Sequence, residues 1–201
     1  MQLIGMLDSP YVRRVAISLR LQSIPFDHRS VSVFGGFAEF QRINPVVKAP
    51  TLVCDDGSVL MDSSLILQWL ESAGIRSLIP TDQAQRLHTF RVTGLALAAC
   101  EKTVQIVYER ELRPPEKQHA PWLDRVHAQL LAAYAELEAA VTTVPLDGTE
   151  AGMTQAGIST AVAWHFTQMM LPGTVAIDAH PALVAYSDQA EALPAFQAFP
   201  H

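Results

Sequence analysis

Thr51-Leu52-Val53-Cys54-Asp55-Asp56-Gly57-Ser58-Val59-Leu60-Met61-Asp62-Ser63-Ser64 decides the fold of the first part of the chain. Two β-forming stretches, Thr51 to Val53 and Val59 to Met61, flank Asp55-Asp56-Gly57-Ser58, which has hairpin-turn composition. Asp62-Ser63 then opens a helix that places Leu65, Ile66, Trp69 and Leu70 on one face. Moving toward the N-terminus, Gly36 to Ile43 reads as a short helix that ends before Asn44-Pro45. Phe26, Val31 and Val33 suggest a strand over Phe26 to Val33. Beyond Ser9-Pro10, Val12, Val15, Ala16 and Leu19 follow the spacing of an amphipathic helix, and Gln2 to Leu7 is a short apolar strand. The order is β-α-β-α-β-β-α, a mixed sheet covered by helices.

From about Asp82 the pattern becomes purely helical. One helix spans roughly Gln83 to Glu111 and stops at Pro114-Pro115. A second starts near Pro121 with Leu123, Val126, Leu130, Tyr134, Leu137 and Val141 on one stripe. A third begins at Thr154, contains Ala161, Val162, Trp164 and His165, and ends at Pro172-Gly173. A last one follows Pro181. The break after Ile79-Pro80 is the expected boundary between a domain over residues 1–80 and an all-helical domain over residues 83–201.

Composition narrows the function. The 201 residues are 49% hydrophobic and 17% charged, which fits a compact core and excludes a disordered chain. A net charge of -6 without any Lys/Arg block argues against a nucleic-acid surface. No apolar run is long enough to cross a bilayer, and Met1 to Leu7 is too short for a signal peptide, so a cytoplasmic protein is expected. Cys54 and Cys100 lie far apart in no Cys-x-x-Cys or Cys/His pattern, so no disulfide framework and no metal site is expected.

Three short motifs remain, each with a plain structural reading. Ser9-Pro10-Tyr11-Val12-Arg13-Arg14 is an ordinary helix start, with Ser at N-cap and Pro at N1. It is also a hydroxyl at a positive helix end, with Arg13 and Arg14 adding positive potential. Asn44-Pro45-Val46-Val47-Lys48-Ala49-Pro50-Thr51-Leu52 ends in a proline directly before a strand, and a cis bond there would expose the Ala49 backbone to a peptide-like ligand. Lys48 is by default a solvated lysine. Asp62-Ser63-Ser64 is an N-cap, and Asp62 with Ser63 would also match the amino and carboxylate groups of a zwitterionic amino-acid end.

The order and spacing of these motifs, with the break near Pro80 and the helices after it, resemble the cytosolic glutathione transferase family of the serine type over nearly the whole chain. The resemblance implies an α/β thioredoxin-like N-terminal domain (βαβαββα) followed by an all-α C-terminal domain. It implies glutathione as co-substrate and a homodimer. Ser9 falls where serine-type classes place the hydroxyl that hydrogen-bonds the glutathione sulfur. Ala49 and a cis Pro50 fall on the pair whose backbone bonds the cysteinyl part. Asp62 and Ser63 fall on the pair that holds the γ-glutamyl end, and Lys48 is the partner for the glycyl carboxylate. An electrophile pocket between the domains is expected near Met6, Val12, Phe34, Val104 and Tyr108, all of which are equally readable as core.

The chain also departs from the family pattern. Val47 stands where many relatives have glycine. Met6 and Leu7 stand where other classes have tyrosine, and Ser9 where disulfide-reducing classes have cysteine. Thr154-x-x-Gly157 replaces a Ser/Thr-x-x-Asp box at the sixth helix, which removes its reciprocal bond. The expected activity is conjugation of glutathione to small hydrophobic electrophiles. A non-catalytic binding or partner-interaction protein and a glutathione-dependent isomerase or peroxidase use the same scaffold.

Overall fold

The computed structural model describes residues 1–72, 74 and 76–200. The chain divides into two compact units, Met1–Pro80 with Ala192–His201, and Thr81–Glu191. The first contains β1 (Gln2–Ile4), α1 (Pro10–Leu21), β2 (Asp27–Arg29), α2 (Phe37–Ile43), β3 (Thr51–Val53), β4 (Val59–Leu60) and α3 (Ser63–Leu70). The sheet order is β2-β1-β3-β4. β1 runs parallel to β2, with Ile4 opposite Arg29, and antiparallel to β3, with Ile4 opposite Thr51. β4 runs antiparallel to β3, with Leu60 opposite Leu52. This is the thioredoxin-like arrangement that the sequence implies.

Alternation along β1 builds a core on each face of the sheet, because successive side chains point to opposite sides. Leu3 joins Val12, Val15, Ala16 and Leu19 of α1 and Ile66, Leu67 and Leu70 of α3. Ile4 packs with Val31 and Phe40 on the other face. The strands are shorter than the sequence suggests. β1 leaves the ladder at Gly5, whose φ of 138° belongs to the left-handed side that favours glycine. A β-carbon there would lie 2.6 Å from Val12 Cγ2 and 3.2 Å from Ala49 Cβ, so the backbone must pass close to both. The inward face of α3 also differs from expectation. Ser63, Ile66, Leu67 and Leu70 are buried at helical spacing, whereas Leu65 and Trp69 are exposed. The helix starts at Ser63, and this register turns the Leu65/Trp69 pair to solvent.

The second unit contains α4 (Gln83–Glu111), α5 (Ala120–Thr143), α6 (Gln155–Met170) and α7 (Pro181–Glu191), with a 3-10 turn over Pro115–Lys117. Val126, Leu130, Tyr134, Leu137 and Val141 form the buried stripe of α5. Tyr134 is fully buried, and its hydroxyl donates to Ala163 O (2.8 Å) and lies 2.6 Å from Thr167 Oγ1. Thr103 Oγ1 on α4 lies 2.8 Å from the same Thr167 hydroxyl, so one polar chain crosses three helices. Burial holds the Tyr134 phenol well above its ordinary range, which keeps it a neutral hydrogen-bonding group.

The last residues depart from the expected division, which gave all of 83–201 to the helical part. A short helix α8 (Pro194–Gln197) and the tail after it pack on the first unit. Phe199 stacks near Phe26, with ring centroids 5.7 Å apart. Arg13 Nε donates to Phe199 O (2.9 Å), and its guanidinium carbon sits 5.8 Å from the Phe196 ring centre. Among the described residues, no helix is long and apolar enough to cross a membrane.

Candidate functional site

The topology of the first unit brings the three motifs to one edge of the sheet. Ile4 ends β1 opposite Thr51, which begins the antiparallel β3. Leu60 ends β4 opposite Leu52, at the same edge. The turn carrying Ser9 leaves this edge from β1, the Ala49–Pro50 segment enters it toward β3, and Asp62-Ser63 leaves it toward α3. Residues as far apart in sequence as Ser9 and Ser63 thus share one rim.

Ser9 is the N-cap of α1, with extended backbone (φ -75°, ψ 121°), but its side chain makes no capping hydrogen bond. Its carbonyl accepts from the N–H groups of Val12 (3.1 Å) and Arg13 (3.0 Å), so the helix starts through the main chain. Pro10 at N1 has no N–H to satisfy and a φ already suited to a helix. Ser9 is half-buried, and its hydroxyl remains at the positive end of a twelve-residue helix. The two arginines behind it are buried and point to other partners. Arg13 holds the C-terminal tail, and Arg14 Nη1 donates to Ser63 Oγ (3.2 Å) and approaches Ser64 Oγ (3.5 Å). The expectation that both reinforce the potential around Ser9 therefore gives way to a different arrangement, because buried guanidinium groups go where acceptors are.

The Ala49–Pro50 bond is cis. Asn44, buried at 3% exposure, organises the loop before it. Its Nδ2 donates to Thr51 Oγ1 (2.8 Å) and contacts Met61 Sδ (3.3 Å), and its Oδ1 accepts from the Val46 N–H (3.0 Å). Thr51 Oγ1 in turn donates to Lys48 O (2.6 Å). The side chain of Lys48 is exposed, Ala49 is half-buried and Pro50 is buried. Val47 has a φ of 52°, a left-handed conformation that a β-branched residue rarely adopts. Asn44 escaped the functional reading of the sequence. Its signal was an Asn-Pro pair ahead of a strand, but its hydrogen-bond partners emerge only from the fold.

Asp62 is the N-cap of α3, and its carboxylate accepts from the N–H groups of Ser64 (2.9 Å) and Leu65 (3.3 Å). Ser63 is the first helical residue and is buried at 3% exposure. The cap is therefore the work of Asp62 alone, while the Ser63 hydroxyl faces Arg14. The Asp62 carboxylate and the Ser63 hydroxyl at the start of α3 are joined there by the buried Arg14 guanidinium from α1, a set that suits a ligand end bearing both an amine and a carboxylate. The Met61–Asp62 bond is also cis.

The residues expected around an electrophile divide differently. Met6 and Phe34 are exposed on the first unit, whereas Val12 is completely buried in its core beside Gly5. Val12 is thus a packing residue, because its α1 position faces the sheet. In the second unit, Tyr108 on α4 is exposed and Val104 half-buried. Among the described residues there is no group of three or more His, Cys, Asp or Glu side chains able to hold a metal ion.

Residues 3–74 match the family described as glutathione S-transferase, N-terminal domain. The chain is similar to the crystal structure of a glutathione S-transferase from Methylobacterium radiotolerans in complex with glutathione sulfonate. Identity is 28% and the TM-score 0.88, covering 98% of this chain and 93% of that one. It is also similar to a glutathione transferase family member from Pseudomonas fluorescens Pf-5 with bound glutathione. There identity is 29% and the TM-score 0.86, covering 98% of this chain and 97% of that one. Among characterised and uncharacterised relatives, the GST-like protein YibF of Escherichia coli K12, itself uncharacterised, is 24% identical over 174 residues, 86% of each chain. These likenesses support a glutathione S-transferase family, and they share the thioredoxin-like domain and the helical domain that follows it.

Proposed function

We propose, on the premise of this glutathione S-transferase fold, that the chain binds glutathione along the rim of the first unit. It joins the glutathione sulfur to a small hydrophobic electrophile, with Ser9 as the activating residue. Ser9 is the observation that carries the reading. Its hydroxyl sits at the N-terminus of α1 and takes no part in capping that helix. The Methylobacterium and Pseudomonas structures hold glutathione sulfonate and glutathione respectively, which supports glutathione as the ligand. In this reading Asp62 takes the amino group of the γ-glutamyl end, Ser63 its carboxylate, and the Ala49 backbone the cysteinyl amide. Lys48 extends toward the glycyl carboxylate. A cytoplasmic homodimer belongs to the same reading and rests on the resemblance.

A free thiol has a pKa of about 8.5, so little of it is thiolate at neutral pH. A hydrogen bond to a charged group contributes about 1.5–3 kcal/mol. At about 1.4 kcal/mol per unit, a donated Ser9 O–H lowers the thiol pKa by roughly one to two units. The end of α1 adds about 0.3–1 kcal/mol in the same direction. The thiol proton leaves to solvent, Ser9 keeps its own proton, and the sulfur lone pair forms the new S–C bond. As it forms, the electrophile either releases its leaving group with the bonding pair or, in an addition, shifts a π pair that takes a proton from solvent. Ser9 is a donor here, not a nucleophile, and no general base is required. Exposed Met6 and Phe34 offer apolar surface to the electrophile.

Turnover of a generic electrophile against pH, compared between the wild type and Ser9→Ala, tests this reading. Loss of one charge-assisted hydrogen bond slows the reaction about ten- to a hundred-fold at neutral pH and moves the profile upward by roughly one to two units. Coincident profiles would remove Ser9 from the chemistry.

A further inference from the structure

Arg14 lies on α1, one turn beyond Ser9, yet it reaches α3. Its Nη1 donates to Ser63 Oγ at 3.2 Å and comes within 3.5 Å of Ser64 Oγ. Arg14 and Ser63 are each 3% exposed, so this contact is shielded from water. A guanidinium is always protonated and only donates, which fixes the direction of the bond: the Ser63 oxygen is the acceptor. A serine hydroxyl has one proton, and with a lone pair occupied by Arg14 that proton is turned toward a different acceptor. The same guanidinium sits beneath the N-terminal turn of α3, where the helix already favours negative charge. Asp62, at the N-cap, supplies a carboxylate for a cationic group at the same turn.

We infer that Arg14 is a positioning residue for ligand recognition: it holds the Ser63 hydroxyl so that its proton meets the α-carboxylate of the ligand's amino-acid end. This rests on the glutathione reading above. Arg14 acts through Ser63 and through its charge, and the selectivity it confers is for a carboxylate next to an amine. A purely structural tie between α1 and α3 confers no such selectivity.

Calorimetry with two ligands separates these roles. One is glutathione; the other is its analogue with 4-aminobutyrate in place of the γ-glutamyl residue, which keeps the amine and lacks the α-carboxylate. Arg14→Gln weakens glutathione binding about tenfold, as expected for one lost charge-assisted bond, and leaves the analogue's affinity unchanged. Arg14→Lys keeps the charge without the fixed fork and shows a smaller loss of the same selective kind, which covers the case in which the Gln variant folds poorly. In a Ser63→Ala background the effect of Arg14→Gln on glutathione shrinks to about threefold or less, since the two side chains act together. Equal losses for both ligands, or full additivity with Ser63→Ala, would overturn the assignment while leaving glutathione binding in place. A wild-type protein that binds neither ligand would instead overturn the glutathione reading, and this inference with it.

Discussion

A β-carbon on Gly157 would lie 2.2 Å from the Tyr186 hydroxyl oxygen. Gly157 stands in the first turn of α6, where its N–H donates to Thr154 Oγ1 at 3.4 Å. Tyr186 comes from α7, is 5% exposed, and its hydroxyl contacts Met153 Sδ at 3.4 Å. Burial, and then the Asp147 carboxylate, raises the pKa of this phenol, so it remains a neutral group. The family's acidic residue at this place has no room: the tyrosine fills it. The Thr154 cap survives, and packing of α7 replaces the reciprocal bond.

Gly157→Ala is therefore destabilising. Alanine gains about 1 kcal/mol in helix propensity, but crowding a buried aromatic residue costs about 1–3 kcal/mol. Urea unfolding should show the net loss, and adding Tyr186→Phe should recover part of it by removing the crowded oxygen, with Met153 Sδ, 2.8 Å from the added carbon, still in the way. A Gly157→Ala protein more stable than wild type would mean that Tyr186 moves aside freely.

The two helix starts on the rim should respond differently to mutation. Asp62→Ala removes the bonds from Ser64 and Leu65 and is expected to cost about 0.5–2 kcal/mol. Ser9→Ala removes no cap and should stay within about 0.5 kcal/mol of wild type. Asp62→Asn keeps an acceptor for the cap but loses the charge, so stability is retained while glutathione affinity falls. Thermal unfolding and calorimetry on the three variants check the pattern, and equal destabilisation by Ser9→Ala and Asp62→Ala would contradict it.

Val47→Gly should stabilise the protein slightly. A left-handed conformation costs an L-residue about 1–2 kcal/mol, and glycine's extra freedom in the unfolded chain returns about 0.5–1 kcal/mol of that. Val47 also packs against the Ile4, Val31 and Phe40 cluster, which reduces the gain further. A rise of about 0.5 kcal/mol in chemical denaturation is expected. A fall would show that this packing outweighs the backbone term.

Stability should also depend on a loop carboxylate at acid pH. The Thr149 hydroxyl (2.7 Å) and N–H (2.8 Å) both donate to Asp147 Oδ1, and these bonds hold the Asp147 pKa below its ordinary value. A depressed folded-state pKa contributes stability above the unfolded value of about 3.9, and that contribution is lost as pH falls through the folded value. Thr149→Ala, which removes the side-chain bond, should thus be less stable than wild type at neutral pH, with the gap closing as pH drops below about 4. Parallel denaturation curves at pH 7 and pH 3 decide it; a gap of constant size would deny Asp147 this role.

Much of the rim was legible as residue types. Ser before Pro, Asp before two serines and a proline ahead of a strand are local signals, and each marks a place where backbone groups need partners. Their meeting was legible only through strand order, because antiparallel pairing of β3 and β4 brings Thr51 and Leu60 to the end of β1 where Ser9's turn begins. Which residue does what at each motif was less legible. Ser9 and Ser63 both read as caps; the main chain starts α1, and Asp62 caps α3.

The sequence by itself determined the element order, the switch from mixed to helical pattern near Pro80, and the long helices, because these follow from hydrophobic period and from proline and glycine placed at their ends. Only the tertiary structure decided where the long polar side chains go. Arg13 and Arg14 are neighbours in sequence and look like one basic pair, yet one is spent on the Phe199 carbonyl and the other on the Ser63 hydroxyl. It also decided that the tail from Ala192 packs with the first unit, that Leu65 and Trp69 face outward, and that Gly157 lies against Tyr186. Periodicity is a property of one segment and can be read along the chain. A hydrogen bond between residues 14 and 63, or a clash between 157 and 186, depends on which segments meet and at what register, and that is fixed by burial of the whole.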